Sequence, residues 1–272
     1  MSKRPKGTGA AAPRDRYVIE AVDRALVLLE LLADESDLGV TEIGQRMGVS
    51  KALAFRLLYT LERRGYVIRD PERRTSALGY RVLHLGEMVE HNSVIVRATK
   101  SLMDELARLC REDVNLFVRT GLSTLCVATR PSPHAVRMFA EIGRSNLLHA
   151  GGSSTVLLAF APAEVQETLL HGELKMYTPL TLTDPVRLRQ RLEQVRRDGY
   201  HIARGDVDEA GFSIAAPVHG HAGEVVAALS IAGALSRLSK QASEHHLTLV
   251  RDFAGRMSRQ LGGLPLAGRA RK

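Results

Sequence analysis

Apolar residues first recur at helical spacing in "VIEAVDRALVLLELLADES". Val22, Ala25, Leu26, Leu29, Leu32 and Ala33 fall on one face of a predicted helix that ends near Asp34. "LGV" then leads to Thr41, a good N-cap residue, and predicts a short helix over residues 42–47 with Ile43 and Met47 on one side. Gly48 breaks that helix and suits a tight inter-helix turn. Ser50 caps a third helix running to about Arg64, with Ala54, Leu57, Leu58 and Leu61 inward, and Gly65 stops it. "YVIRD" and "RTSALG" read as two short strands joined by "PERR". Helix, short helix, glycine turn, helix and hairpin is the order of a winged helix-turn-helix.

The next stretch, "LGYRVLHLGEMVEHNSVIVRATKSLMDELARLCRED", is helix-compatible and splits near residues 91–93, with Asn92 or Ser93 capping the second part. From Val114 the period changes. "VNLFVRTG" and "STLCVATRP" read as strands around a Gly121 turn, and "AVRMFAEIG" as a third strand. "LLHAGGSSTVLLAFAP" gives two glycines, two serines and an apolar helix. "TDPVRLRQRLEQVRRDG" is a helix capped by Thr183 or Asp184, with Pro185 in its first turn and Gly199 at its end. "GFSIAAPVHGHAGEVVAALSIAG" reads as strand, turn, strand, and a last helix runs over residues 239–261. Grouped strands with short turns, separated by helices, predict an α+β domain built on an antiparallel sheet.

Charge sharpens the first half of this picture. The net charge is +8, but residues 1–16 and 50–74 each carry +4 and residues 251–272 carry +5, which leaves the rest at −5. Positive charge gathered on an arm and on one helix with its hairpin fits a polyanion. The outward face of the third helix, at its N-terminal end, presents Ser50, Lys51, Ala52, Phe55, Arg56 and Tyr59, and these positions reach base edges in a recognition helix. Arg56 suits guanine or phosphate, Lys51 suits phosphate, and the hairpin-tip residues Arg73 and Arg74 suit backbone or minor groove. Double-stranded DNA is therefore the predicted partner. Thr41, before the second helix, belongs to the same candidate set.

Composition and motifs exclude much else. The chain is 44% hydrophobic and 25% charged, and no apolar run approaches the ~18 residues of a membrane span. The basic start lacks the apolar core of a secretory signal. Cys110 and Cys126 lie far apart, which suits a reducing cytoplasm and argues against zinc. His219 and His221 alternate on a turn, and His245 and His246 point different ways from one helix. "GDVDE" lacks calcium-loop spacing, and no nucleophile elbow, P-loop or dinucleotide fingerprint appears. No catalytic residue, metal site or cofactor is expected. Gly151 to Ser154 stand at a predicted helix start, where free amides and the helix dipole make either an anion site or an ordinary capped helix.

Three segments together resemble the IclR family of bacterial transcription regulators: "VSKALAFRLLYTLERRGYV" with "LGYRVLHLG", "LLHAGGSSTVLLAF", and "GYHIARGDVDEAGFSIAAPVHGHAGEVVAALSIAG". The resemblance spans roughly residues 18–261. It implies a winged helix-turn-helix followed by a GAF-like effector domain, and homodimers or homotetramers on palindromic operators. It also implies small organic acids, aromatic ones included, as effectors. On this basis the chain divides into a disordered basic arm (1–16), a DNA-binding domain (17–80), a linker helix (81–93), an effector-binding and oligomerisation domain (94–262) and a basic tail (263–272). The resemblance places the effector on Gly152, Ser153, Ser213 and Ser230. The chain departs from the family pattern at Ala232 and Ala203, where polar residues are usual, and in "GSST", where Gly-Lys is common. Fewer polar groups imply a larger, less polar acid. Arg204 either holds its carboxylate bidentately or lies on the surface.

Overall fold

A computed structural model describes residues 17–138 and 140–263. The chain divides into two compact units that meet between Val89 and Glu90. The basic arm 1–16, and the tail beyond its first residue, lie outside the described residues.

In the first unit, α1 (Glu20–Asp34), α2 (Val40–Arg46) and α3 (Lys51–Arg63) enclose a core of Leu28, Leu32, Ile43, Ala54, Leu58 and Val67. The buried stripe of α1 differs from the expected one. Leu28 and Leu32 are buried, whereas Val22 and Leu26 are each 53% exposed, so the apolar positions of α1 serve two faces. The cap of α2 also moves. Gly39 is the N-cap, and its amide donates to Glu42 Oε2 at 3.4 Å, so Thr41 lies exposed inside the first turn. Ser50 caps α3 as its sequence position predicts, accepting from the Leu53 amide at 3.3 Å. The hairpin forms from β2 (Val67–Asp70) and β3 (Thr75–Leu78). A short strand that the sequence pattern did not show, β1 (Leu38–Gly39), adds to β3 and completes a three-stranded sheet. The helix α4 (Tyr80–Asn92) follows and carries the boundary between the units.

The second unit opens with α5 (Val94–Cys110), capped by Ser93. Its sheet contains β4 (Asp113–Thr120), β5 (Ser123–Arg130), β6 (Ser145–Leu147), β7 (His201–Arg204), β8 (Gly211–His219) and β9 (Val225–Ala234). All neighbours are antiparallel, in the order β6-β5-β4-β9-β8-β7. On one face α5 and α9 (Lys240–Gln260) cover Leu116, Ile214, Ala216, Leu229 and Ile231. On the other face, α6 (Gly152–Ala159), α7 (Ala163–His171) and α8 (Pro185–Asp198) cover Ala215 and Ala228. The central strands β8 and β9 are buried on both faces, which is why they read as near-continuous apolar runs.

The described residues of the segment 135–143 do not form the expected third strand. The carboxylate of Asp113 takes the amide protons of Met138 at 3.1 Å and, ahead of the segment, of Ser132 at 2.7 Å, residues 133–136 between them are bends, and the edge strand falls later, at β6. Side-chain capture of backbone donors competes with ladder formation.

His201, on β7, is buried, and that burial, with the nearby Arg191 guanidinium second, pushes its imidazole down to about 3 from an ordinary 6.5. Between those values the unfolded chain binds the extra proton, so stability falls as pH drops, by up to ~1.4 kcal/mol per pH unit. Urea unfolding of the second unit from pH 7 to pH 4 is expected to show this acid loss in the wild type and a flatter slope in His201→Gln. Equal slopes would remove His201 from the account.

Candidate functional site

The exposed surface of α3 carries Lys51, Ala52, Phe55, Arg56 and Tyr59, while Ala54, Leu57, Leu58 and Leu61 face the core. The wing turn is held by Asp70, whose Oδ1 accepts from the amides of Glu72 at 2.9 Å and Arg73 at 3.0 Å. The Arg73 bond, above all, lowers the carboxyl pKa. The Arg73 side chain is 75% exposed and sits 3.9 Å from Asp70 Oδ2, and Arg74 takes a left-handed backbone at φ 57°. This fixed turn displays both arginines beyond the hairpin. Thr41 is exposed on α2. The structure thus puts all nine sequence-predicted DNA residues at the surface of the first unit. It groups six of them on α3 and its cap and two at the wing tip.

The second unit holds a cavity of about 480 Å³. Its floor is the sheet face that α6 overlies. Asn115 pairs with Ser230 across β4 and β9, and Ser213 pairs with Ala232 across β8 and β9. The period-two alternation of strands turns these four side chains to one side. Above them lies the start of α6. Gly151 has φ 88°, a conformation that favours glycine, and its amide donates to Asp206 Oδ2 at 2.9 Å. The amides of Gly152, Ser153 and Ser154 come before the first intrahelical donor, the Thr155 amide, and carry the positive end of the helix dipole. Ser153 is 5% exposed, and its Oγ has no hydrogen-bond partner. A buried hydroxyl left unmatched costs free energy until something fills its bond.

Phe117, Met138, Leu147, Ala150, Tyr177 and Val207 give the walls an apolar part, and Glu141, Asn146, Asp206 and Asp208 line them as well. Tyr177 reaches the site from an irregular segment that is pinned at three points. His149 Nε2 bonds the Lys175 carbonyl at 2.8 Å, Thr178 Oγ1 donates to Gly205 O at 2.6 Å, and Thr181 Oγ1 donates to Asp206 O at 2.7 Å. Arg137 and Arg144 also line the cavity. Burial pushes the Cys126 thiol, another lining group, up to about 11, so it stays protonated and poorly nucleophilic at neutral pH. Among the described residues no histidine lines the cavity.

Four of the five sequence-predicted effector residues, Gly152, Ser153, Ser213 and Ser230, meet in this cavity. Arg204 does not, which corrects the carboxylate role considered for it. On β7, Ala203 pairs with Ser213 and Arg204 with Phe212, so alternation sends Arg204 to the opposite face. There its Nη2 donates to Ser243 Oγ of α9 at 3.1 Å. Sequence reading missed Asn115, Tyr177 and Asp206. Asn115 was detectable as a polar residue within an apolar strand. Asp206 lies in the acidic "GDVDE" and serves as an acceptor for Gly151. Nothing local marks Tyr177.

A basic helix and wing in the first unit fit a DNA-binding protein, and the polar-floored cavity of the second gives it a ligand-sized space. Comparison with known proteins identifies the family. The chain matches the IclR helix-turn-helix domain over residues 21–71 and the bacterial transcriptional regulator IclR C-terminal domain over residues 88–259. It is 30% identical over 245 residues to the HTH-type transcriptional regulator KdgR of Escherichia coli, covering 90% of this chain and 93% of that protein. It is 30% identical over 256 residues to the HTH-type transcriptional repressor AllR of E. coli, covering 93% and 94%. Among solved structures, an IclR homolog from Microbacterium hydrocarbonoxydans complexed with 4-hydroxybenzoate superposes with a TM-score of 0.77 at 26% identity, over 89% of this chain and 98% of that one. The chain belongs to the IclR family of DNA-binding transcriptional regulators. No helix among the described residues is long and apolar enough to cross a membrane.

The α6–β8 contact gives a direct test. A Cβ on Gly152 would lie 2.6 Å from Ser213 Oγ and 2.9 Å from its carbonyl oxygen, whereas one on Gly86 meets nothing within 4 Å. Gly152→Ala is expected to cost roughly 1–3 kcal/mol in chemical denaturation. Gly86→Ala, inside α4, should be neutral or stabilising by up to ~1 kcal/mol. A harmless Gly152→Ala would contradict the close approach.

Proposed function

We propose that this regulator binds an operator through α3 and its wing, and that a small organic acid in the second unit controls that affinity. The carrying observation is the buried, unpartnered Ser153 Oγ beside three free helix amides. A carboxylate answers both, since it accepts from amides and hydroxyl and is favoured by the helix dipole. The apolar part of the walls suits an acid with an apolar, ring-sized body. The bound 4-hydroxybenzoate of the M. hydrocarbonoxydans homolog supports an aromatic acid, and the name of AllR supports repression. Apolar side chains left exposed on α1 and α4, including Val22, Leu26, Leu83 and Val89, support a homodimer or homotetramer. Two recognition helices then match half-sites about one DNA turn apart. The acid acts by binding one arrangement of the assembly better than another, coupled through α4.

Thermal unfolding against benzoate, 4-hydroxybenzoate and aliphatic hydroxy and keto acids tests the receptor. A matching acid at 100 times its Kd should add about 2.7 kcal/mol of stability and raise the Tm, and Ser153→Ala should weaken the response. No shift with any carboxylate at millimolar concentration would overturn the acid reading.

On DNA, Arg56→Ala should weaken specific binding by about 1–3 kcal/mol and relax base preference. Arg73→Ala should weaken binding to all sequences and lower the slope of log K against log salt by about 1. Loss of a single base preference in Arg73→Ala, with the salt slope intact, would contradict the wing assignment.

A further inference from the structure

The outward face of α3 is aromatic as well as cationic. Phe55 and Tyr59 stand one turn apart and are 46% and 50% exposed. Their rings stack, with centroids 6.4 Å apart and planes 19° from parallel. Arg69, on β2, places its guanidinium carbon 5.4 Å from the Phe55 ring centroid, and its Nη1 lies 3.6 Å from Glu62 Oε2. Ala52 is exposed one turn nearer the helix start. Two large rings are thus kept in water, yet held in a fixed pose by a cation–π contact and by each other.

An apolar side chain on a helix in the major groove meets one base feature suited to it, the C5-methyl of thymine. We propose that Phe55, with Ala52 beside it, reads thymine methyl groups in each operator half-site. Arg69 is a positioning residue that holds the Phe55 ring in its reading pose. Its guanidinium is engaged by the ring and by Glu62, so its work is orientation rather than phosphate contact. The proposal rests on α3 being the recognition helix, and it adds a base identity that the cationic residues of α3 do not supply.

The probe is a duplex selected by the full-length protein from a random pool. Thymines in the selected half-sites are then replaced singly by deoxyuridine, which keeps every hydrogen-bonding group and removes only the methyl. At one or two positions per half-site the wild type is expected to lose about fourfold in affinity for each methyl removed. Phe55→Ala, a surface substitution, should bind thymine and deoxyuridine duplexes equally. Arg69→Lys keeps the charge but not the flat guanidinium. It should keep the salt slope while its thymine-to-deoxyuridine ratio falls toward one. Equal wild-type affinity for both bases at every position, or a fourfold ratio retained by Phe55→Ala, would overturn the methyl reading. An unchanged ratio in Arg69→Lys would overturn the positioning role. A pool that yields no enriched sequence would instead overturn α3 as the recognition helix, and the methyl reading with it.

Discussion

The cavity of the second unit depends on one close approach. The start of α6 lies against β8, with Gly152 so near the Ser213 carbonyl and hydroxyl that no side chain fits between. That contact puts the helix amides directly over a sheet face bearing Asn115, Ser213 and Ser230. It also buries Ser153 with no partner for its hydroxyl. A helix end buried without caps is normally avoided. Here Asp206 satisfies one amide, at Gly151, and those of Gly152, Ser153 and Ser154 have no acceptor within the helix. Folding leaves hydrogen-bonding capacity unmet at this point, and the proposed carboxylate would meet it. Such local frustration is characteristic of functional sites.

The first unit follows a different logic. Its core is small and made of aliphatic side chains, so its surface is free to carry charge and rings. The Asp70 carboxylate shapes the wing by taking two amides, and Arg69 reaches from the same strand to Phe55. The hairpin thereby presents Arg73 and Arg74 outward and sets Arg69 against the Phe55 ring of α3. The α4 helix is the covalent route between the two units.

Much of this was legible in the sequence because it is locally encoded. Gly48, Ser50 and Gly65 bracket α3, and the apolar positions Ala54, Leu57, Leu58 and Leu61 all face inward. Asp184, Pro185 and Gly199 mark α8 as clearly. What was not legible depends on distant partners. Residues 135–143 alternate like a strand, but Asp113, 25 positions before Met138, claims the Met138 amide and, just ahead of the segment, that of Ser132. Arg204 is one residue from a cavity-facing position, and only the β7–β8 register shows that it faces α9 instead. Gly151 to Ser154 read locally as either an anion site or a plain cap. The orphaned Ser153 hydroxyl, visible only after folding, favours the anion site.

Coupling between the two units is the central claim, and thermodynamic linkage makes it measurable from both sides. The affinity of a selected operator duplex would be titrated with and without a saturating carboxylate that raises the Tm, and the carboxylate affinity with and without the duplex. The account predicts a shift of about 5–150-fold in DNA affinity and the same factor, reciprocally, in ligand affinity. A carboxylate that occupies the cavity and leaves operator affinity unchanged would contradict it.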